Sequence, residues 1–286
     1  MLITDISEAK MTPAMAALEK LLEARTGQHI ASNRIWRIET VLKPVMRDHG
    51  IDTLDLLVKV LANHRRGPLE AQVVHALLNQ ETSFFRDAAV LDLLADAVMA
   101  QAQTAPNRRP KIWSAACAHG QEPLSLAMLF AERARASGLA EPELLATDVS
   151  EIAVARARRG WFSQFEIQRG LPVRRMIEWF DAEGDDWVAR PELVNRIMFR
   201  THNLAGDPPP VGRFDAILCR NVLLYLSPAL RTKVFDMLAS VIRPGGLLVL
   251  GAGETVIGQT DRFTPSPRYR GLYEPVHDQS VASGRI

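Results

Sequence analysis

The hydrophobic rhythm of the chain changes near residue 110. Before that point apolar residues recur every three or four positions: Met15, Leu18, Leu21 and Leu22; Ile35, Ile38, Val41, Leu42 and Val45; Leu54, Leu57, Val58 and Leu61; Val73, Val74, Leu77 and Leu78. This spacing lines one face of a helix, and residues 12 to about 78 contain no convincing strand. Thr12-Pro13, Thr53 and Pro68 stand where caps or first turns belong, and Gly27, Gly50 and Gly67 where helices end. The prediction is a small helical domain over residues 1–78. Another amphipathic helix follows Asp87 through Val90, Leu91, Leu94, Ala97 and Val98, and the polar, proline-bearing stretch 101–110 reads as a surface connector.

Beyond the connector, short apolar runs and helical patterns alternate. Strands are expected at Lys111–Ala116, Glu143–Thr147, Ile197–Thr201, Phe214–Cys219 and Leu247–Gly251. Helices are expected at Glu122–Ser137, Glu151–Arg159 and Pro228–Ile242. Strands that are apolar along their whole length belong to a parallel sheet covered on both faces, so residues 79–286 read as an α/β domain of Rossmann-like type. The stretch 160–196 breaks the rhythm with aromatic segments (Trp161, Phe162, Phe165; Trp179, Phe180; Trp187) between turn residues, and reads as an inserted small antiparallel sheet. Residues after about Val276 read as a disordered tail.

Composition adds exclusions. With 34 basic and 33 acidic residues the formal net charge is +1, which gives no general electrostatic case for nucleic acid or a membrane surface. The two cysteines, Cys117 and Cys219, sit in apolar stretches, which argues against a disulfide framework and fits a reducing cytosol. Neither a secretory signal nor an apolar run of membrane-spanning length is visible. His119 and His202 lack the spacing of metal ligands, so no metal site is expected.

Four segments carry candidate chemistry. The first is Lys111 to Pro123, a strand, a loop of small residues ending in Gly120, and a helix start, the kind of turn at which nucleotides meet the carboxyl edge of a sheet. It lacks G-x-G-x-x-G spacing, so a dinucleotide phosphate cradle is disfavoured. The second is Asp148, some 28 residues past Gly120, placed either to accept from ribose hydroxyls or to cap the following helix. The third is Cys219-Arg220-Asn221, where Asn221 offers both donor and acceptor at the same edge; Asp215 reads as support for the preceding turn, and Tyr225 as a core tyrosine or a site residue. The fourth is Pro244-Gly245-Gly246, physically a tight turn feeding a buried strand.

Taken with Glu81-Thr82-Ser83-Phe84-Phe85-Arg86-Asp87, the segments Ala115-Ala116-Cys117-Ala118-His119-Gly120-Gln121-Glu122-Pro123 and Cys219-Arg220-Asn221-Val222-Leu223-Leu224-Tyr225 closely resemble the CheR family of chemotaxis receptor glutamate methyltransferases. The likeness spans nearly the whole chain. It implies a helical N-terminal domain, an S-adenosylmethionine (SAM)-binding sheet and an inserted β-subdomain. It also implies that Gln80, Thr82, Arg86, Glu122, Asp148, Asn203, Leu204, Asn221 and Val222 line the cofactor site. Gln80 stands where the family usually has Asn, and Gly-Gln-Glu-Pro replaces the commoner Gly-Glu-Glu-Pro.

The implied reaction is methyl transfer to receptor glutamates, with Arg86 and Tyr225 orienting the acceptor carboxylate; for Arg86 the structural alternative is a salt bridge at a helix start. The implied partners are the cytoplasmic methylation helices of chemoreceptors, met by a basic face carrying Arg25, Arg34, Arg37, Lys43 and Arg47. A receptor C-terminal tether is a further implied partner, held by the region 164–188. Nucleic acid and direct membrane insertion are not implied. Two rivals stand beside this reading: a SAM enzyme acting on a small molecule or nucleic acid, and a non-catalytic module that senses SAM or its product.

Overall fold

A computed structural model describes residues 11–31, 34–63, 67–105 and 107–276; the expected tail beyond Val276 lies outside the described residues. The chain divides into two compact units. One comprises the described residues up to Asn79 together with Tyr225–Ser227, and the other the described residues of Gln80–Leu224 and those from Pro228 onward.

The first unit holds helices α1 (Pro13–Thr26), α2 (Arg37–Asp48), α3 (Leu54–Asn63) and α4 (Pro68–Leu77). Helix α1 starts where Thr12 Oγ1 accepts the Met15 amide at 3.2 Å, with Pro13 in the first turn, and stops at Gly27, whose φ of 73° provides the left-handed cap. The periodic residues form its core: Leu18, Ile38, Leu42, Leu57 and Val73 are each essentially inaccessible. Each such side chain contributes about 1.5–3 kcal/mol through burial. Gly67 departs from its expected place at a helix end, since it precedes Pro68 in extended backbone and opens α4. Pro68 explains the difference: with φ already fixed and no amide to satisfy, it starts a helix and leaves Gly67 as the flanking residue.

The second unit begins with α5 (Ala88–Thr104), β1 (Lys111–Ala115), α6 (Gln121–Ser137), β2 (Glu143–Asp148) and α7 (Glu151–Arg159). An insertion follows: β3 (Trp161–Ser163), α8 (Gln164–Gln168), α9 (Val173–Trp179), β4 (Phe180–Glu183), β5 (Asp186–Ala189) and α10 (Pro191–Val194). The sheet resumes with β6 (Ile197–Thr201), β7 (Phe214–Cys219), α11 (Pro228–Val241), β8 (Ile242–Leu250), β9 (Phe263–Pro265) and β10 (Tyr273–Pro275). Strand order is β6-β2-β1-β7-β8-β10-β9, with the first five parallel and the last two antiparallel. All six residues of β7 are buried, and successive side chains point to opposite faces, so the sheet is covered on both sides. The expected α/β fold with an inserted antiparallel sheet is what the chain adopts, the insertion pairing as β3-β5-β4.

From β1 the chain passes through α6 to β2 and on to β6, all on one side, and then returns to place β7 on the other side of β1. The carboxyl ends of β1 and β7 therefore flank a topological switch point, where connections diverge and leave a crevice.

Several local readings change. Helix α5 runs to Thr104, so the expected connector is shorter. Pro244-Gly245-Gly246 is a bulge inside β8 and not a turn ahead of it: Phe214 pairs with Ile242, and the next matched pair is Ala216 with Leu247. A Cβ on Gly246 would lie 2.9 Å from the Arg243 carbonyl and 3.1 Å from that of Asp215, which is why glycine fits there. Asp215 supports more than a turn, since it takes both ends of the Arg108 guanidinium at 2.7 and 2.6 Å and the Lys111 amide at 2.8 Å. Among the described residues no helix is long and apolar enough to cross a membrane.

Candidate active site

The loop after β1 is forced into shape. Ala116 and Ala118 adopt left-handed backbone (φ 61° and 48°), as does Gly120 at φ 95°. A Cβ at Gly120 would come within 2.9 Å of Ala157 Cβ, so only glycine lets α7 pack this closely. Asp148, at the end of β2, holds the loop. Its Oδ2 accepts from Ala118 N and its Oδ1 from Ser150 N, both at 2.9 Å. Burial pushes the Asp148 carboxyl above its ordinary 3.8, while the amides of Ser150, Ala118 and Val149 pull it back down. The cap of α7 is Ser150, whose hydroxyl accepts Ala153 N at 3.2 Å, so the capping alternative for Asp148 does not apply. A carboxylate oxygen accepts more than one hydrogen bond, so Asp148 retains acceptor capacity after bracing the loop.

Glu122, in the first turn of α6, accepts the Ser114 hydroxyl at 2.7 Å and Arg220 Nη1 at 2.9 Å. Arg220 Nη2 donates to the Arg86 carbonyl at 3.2 Å and to the Asp87 carboxylate. One buried guanidinium thus joins the end of β7, the start of α6 and the segment ahead of α5. Asn221, next along, is left-handed (φ 59°), with its amide held by Glu254 at 2.7 Å. Glu254 also accepts from Leu223 N, Leu224 N and Gly251 N at 2.8, 3.3 and 2.9 Å. A Cβ on Gly251 would meet Asn221 Nδ2 at 2.6 Å, so the Asn221 amide lies directly over that glycine. Val222 is buried. After β6, Asn203 closes a turn with Leu204, its Oδ1 accepting Ala205 N at 2.9 Å and its own amide donating to Asp207 Oδ2 at 2.8 Å.

The segment 81–87 is clamped from several sides. Phe85 and Asp87 are left-handed (φ 50° and 56°), and Phe85 N donates to Ser125 Oγ on α6 at 3.0 Å. Phe84 stacks edge-on with Phe162 and Phe180 of the insertion, Arg175 lies 4.4 Å from the Phe85 ring, and Gly170 approaches the Phe84 carbonyl so closely that any Cβ would collide. Arg86 itself is exposed. Its Nη1 donates to the Glu81 carbonyl at 3.3 Å, and it makes no ion pair among the described residues, so the salt-bridge alternative is not found. Thr82 is half-buried, and Gln80 has a buried Nε2 without a hydrogen-bond partner.

Glu122, Asp148, Asn203, Leu204, Asn221 and Val222 therefore stand at or just past the carboxyl ends of β1, β2, β6 and β7, with Arg86 tied to them through its backbone. Tyr225 belongs to the helical unit, where its hydroxyl accepts from Arg34 Nη1 at 3.2 Å and from Asn79 Nδ2. Of the basic residues expected on that unit's face, Arg25 is paired with Glu70 at 2.6 Å. Arg220, Ser114 and Glu254 carry the site's internal bonding without having been assigned roles from sequence. Arg220 and Asn221 were visible together in one motif, but Glu122 and Glu254 lie 98 and 33 positions from the groups they hold, beyond any local pattern. Cys117 and Cys219 are buried, and burial pushes both thiols well above their ordinary range.

A parallel sheet with acids beside its first two strand ends and a switch-point crevice is the fold of a SAM-dependent methyltransferase. The comparisons with known proteins narrow this. Residues 80–271 match the family model described as CheR methyltransferase, SAM binding domain. The chain is 34% identical over 248 residues to the chemotaxis protein methyltransferase Cher2 of Pseudomonas putida, covering 85% of this chain and 90% of that one. It is 36% identical over 249 residues to the chemotaxis protein methyltransferase of Vibrio parahaemolyticus, with the same coverage. The glycopeptide N-methyltransferase MtfA complexed with SAM overlays weakly, with a TM-score of 0.33 and 14% identity over 64% of this chain and 66% of that one. The chain belongs to the CheR methyltransferase family; SAM is its cofactor, and SAM-dependent methylation in chemotaxis is its activity.

Proposed function

We propose that the chain methylates glutamate side chains of chemoreceptors, forming glutamate methyl esters for sensory adaptation in the cytoplasm. The observation that carries this reading is the contrast between two arginines. Arg220 has its charge met by Glu122 and Asp87, whereas the exposed Arg86 guanidinium donates to the Glu81 carbonyl and makes no ion pair among the described residues. A guanidinium in that condition is a ready bidentate partner for a carboxylate.

When bound, SAM supplies a methyl group on a sulfonium that leaves as a neutral thioether. The residues present suit it. Asp148 keeps acceptor capacity for ribose hydroxyls, Glu122 and Asp87 leave the Arg220 cluster with a net negative charge suited to a cationic ligand, and the orphaned Gln80 Nε2 is a buried donor in want of an acceptor. Asn221, Val222, Asn203, Leu204 and Thr82 complete the proposed lining.

A glutamate is already ionised at neutral pH, with a reference pKa of about 4.3, so the acceptor needs no general base. The task left to the chain is alignment of the carboxylate and exclusion of water. Arg86 aligns the carboxylate. Tyr225, whose hydroxyl accepts twice and so keeps its own proton to give, serves as the second donor. The partners are the cytoplasmic methylation helices of the receptors. In the insertion, Phe165, Val173 and Ile177 are each about two-thirds exposed, which supports that region as the seat of a receptor tether.

Arg86→Ala tests the assignment. The variant is expected to fold, with a melting temperature within about 2 °C of the parent, and to lose methyl transfer by about 100-fold or more. Near-normal transfer by the folded variant would remove Arg86 from the role.

A further inference from the structure

Arg220 is a buried charge at the carboxyl edge, with 3% side-chain exposure. We propose that Arg220 is a positioning residue for Arg86: it fixes the backbone from which Arg86 projects by tying that backbone to the Glu122 carboxylate. The proposal rests on the reading that Arg86 faces the acceptor carboxylate.

Three observations point to positioning over plain stabilisation. First, Arg86 sits between two residues in left-handed backbone, Phe85 and Asp87, a geometry that persists only where surroundings impose it. Ser125 and the insertion hold Phe85 in it, and Arg220 holds the next residues by bonding the Arg86 carbonyl and the Asp87 carboxylate. Second, Asp87 occupies the cap position of α5, where a carboxylate ordinarily accepts from the first helical amides. It makes no such bond, and its carboxylate goes to Arg220. A helix start has given up its cap to hold the tie. Third, the Arg220 Nε–H is buried with no hydrogen-bond partner among the described residues. A guanidinium buried with an idle donor is a poor device for stability alone, because buried charge is costly even when paired. The same fork that reaches the Arg86 carbonyl and Asp87 also reaches Glu122. A change at Glu122 is therefore felt at Arg86 through a single rigid group.

The test is Arg220→Lys in the full-length chain, which keeps the charge but cannot span three acceptors. Amide hydrogen exchange at residues 85–88 is expected to quicken at least about tenfold while the strands keep their protection. The rate of methyl transfer at saturation is expected to fall at least about tenfold, with KM for the receptor fragment changed less than about threefold. Unchanged exchange at 85–88, an unchanged saturating rate, or exchange that quickens evenly across the sheet would each overturn the proposal.

Should Arg220→Lys be insoluble, Asp87→Asn loosens the same tie from its exposed end, and the same local exchange change and the same loss of saturating rate are expected, both smaller. Arg86→Ala run alongside separates the two claims. Normal turnover there defeats the functional reading, whereas the exchange measurement still judges whether Arg220 holds the segment.

Discussion

The two edges of the parallel sheet follow different rules. At the amino edge charges are paired, and the one irregularity described, the bulge in β8, is carried by glycine. Arg108 grips Asp215 with two bonds, Lys111 meets Glu143 at 3.2 Å, and Arg196 pairs with Glu141. At the carboxyl edge Ala116, Ala118 and Asn221 take left-handed backbone, and the segment pinned there adds Phe85 and Asp87. Among the described residues these five are the only non-glycine residues in that conformation. Each costs on the order of 1 kcal/mol, so the edge tolerates strain that the amino edge avoids. The amino edge is built from paired charges, and the carboxyl edge holds its loops in a strained conformation.

The sharpest way to break this contrast is at Asp215. Asp215→Asn removes the charge that Arg108 grips, and a loss of about 2 kcal/mol is expected, discounted because Arg108 is partly exposed. Thermal melting should drop by roughly 4–8 °C, while SAM affinity by calorimetry stays within about twofold. Weakened binding with unchanged melting would erase the distinction.

Asp148 gives the next effect, through pH. Burial raises its carboxyl above 3.8, so SAM affinity should fall once pH drops through that raised value, earlier than an ordinary aspartate would allow, by up to about tenfold per pH unit. Asp148→Asn should bind SAM about tenfold more weakly at neutral pH and show no such limb. An acid limb surviving in Asp148→Asn would assign the titration elsewhere. The stability sign is also diagnostic. The folded state disfavours ionised Asp148, so its share of stability grows as pH falls from the folded pKa toward 3.8. Glu132, lowered from 4.5 by Arg175, behaves oppositely: its share is full above 4.5 and is lost as pH falls through its folded value.

The smallest effect belongs to Ala118. Replacing a left-handed alanine by glycine relieves strain while loosening the unfolded chain, so Ala118→Gly should change stability by less than about 0.5 kcal/mol. The same change at Ala102, inside α5, should cost about 1 kcal/mol. Equal losses at both would mean that the loop is not strained.

Much of this was legible in the residues, for physical reasons that also mark the limit. Largely apolar runs such as Phe214–Cys219 announce a two-sided buried strand, and Glu151–Arg159 is readable as a helix, although its cap is Ser150 and not the Asp148 that the sequence offered. The short elements escaped: β9 and β10 are three residues each, too brief for a period. Helix α8 is nearly as brief, although Ser163 and Glu166 form a reciprocal capping box that signals its start. At the site, Asp148 was expected from its position in the array, and Glu122 from the motif resemblance alone. The bonds of Arg220 and Glu254 were not, because they exist only once distant segments meet.

The most direct measurement of the central claim is incubation of the chain with SAM carrying a radiolabelled methyl group and membranes containing chemoreceptors. The account predicts base-labile label on receptor carboxylates, and its loss with Arg86→Ala. Label on a small molecule or nucleic acid, or SAM binding without transfer to any acceptor, would contradict it.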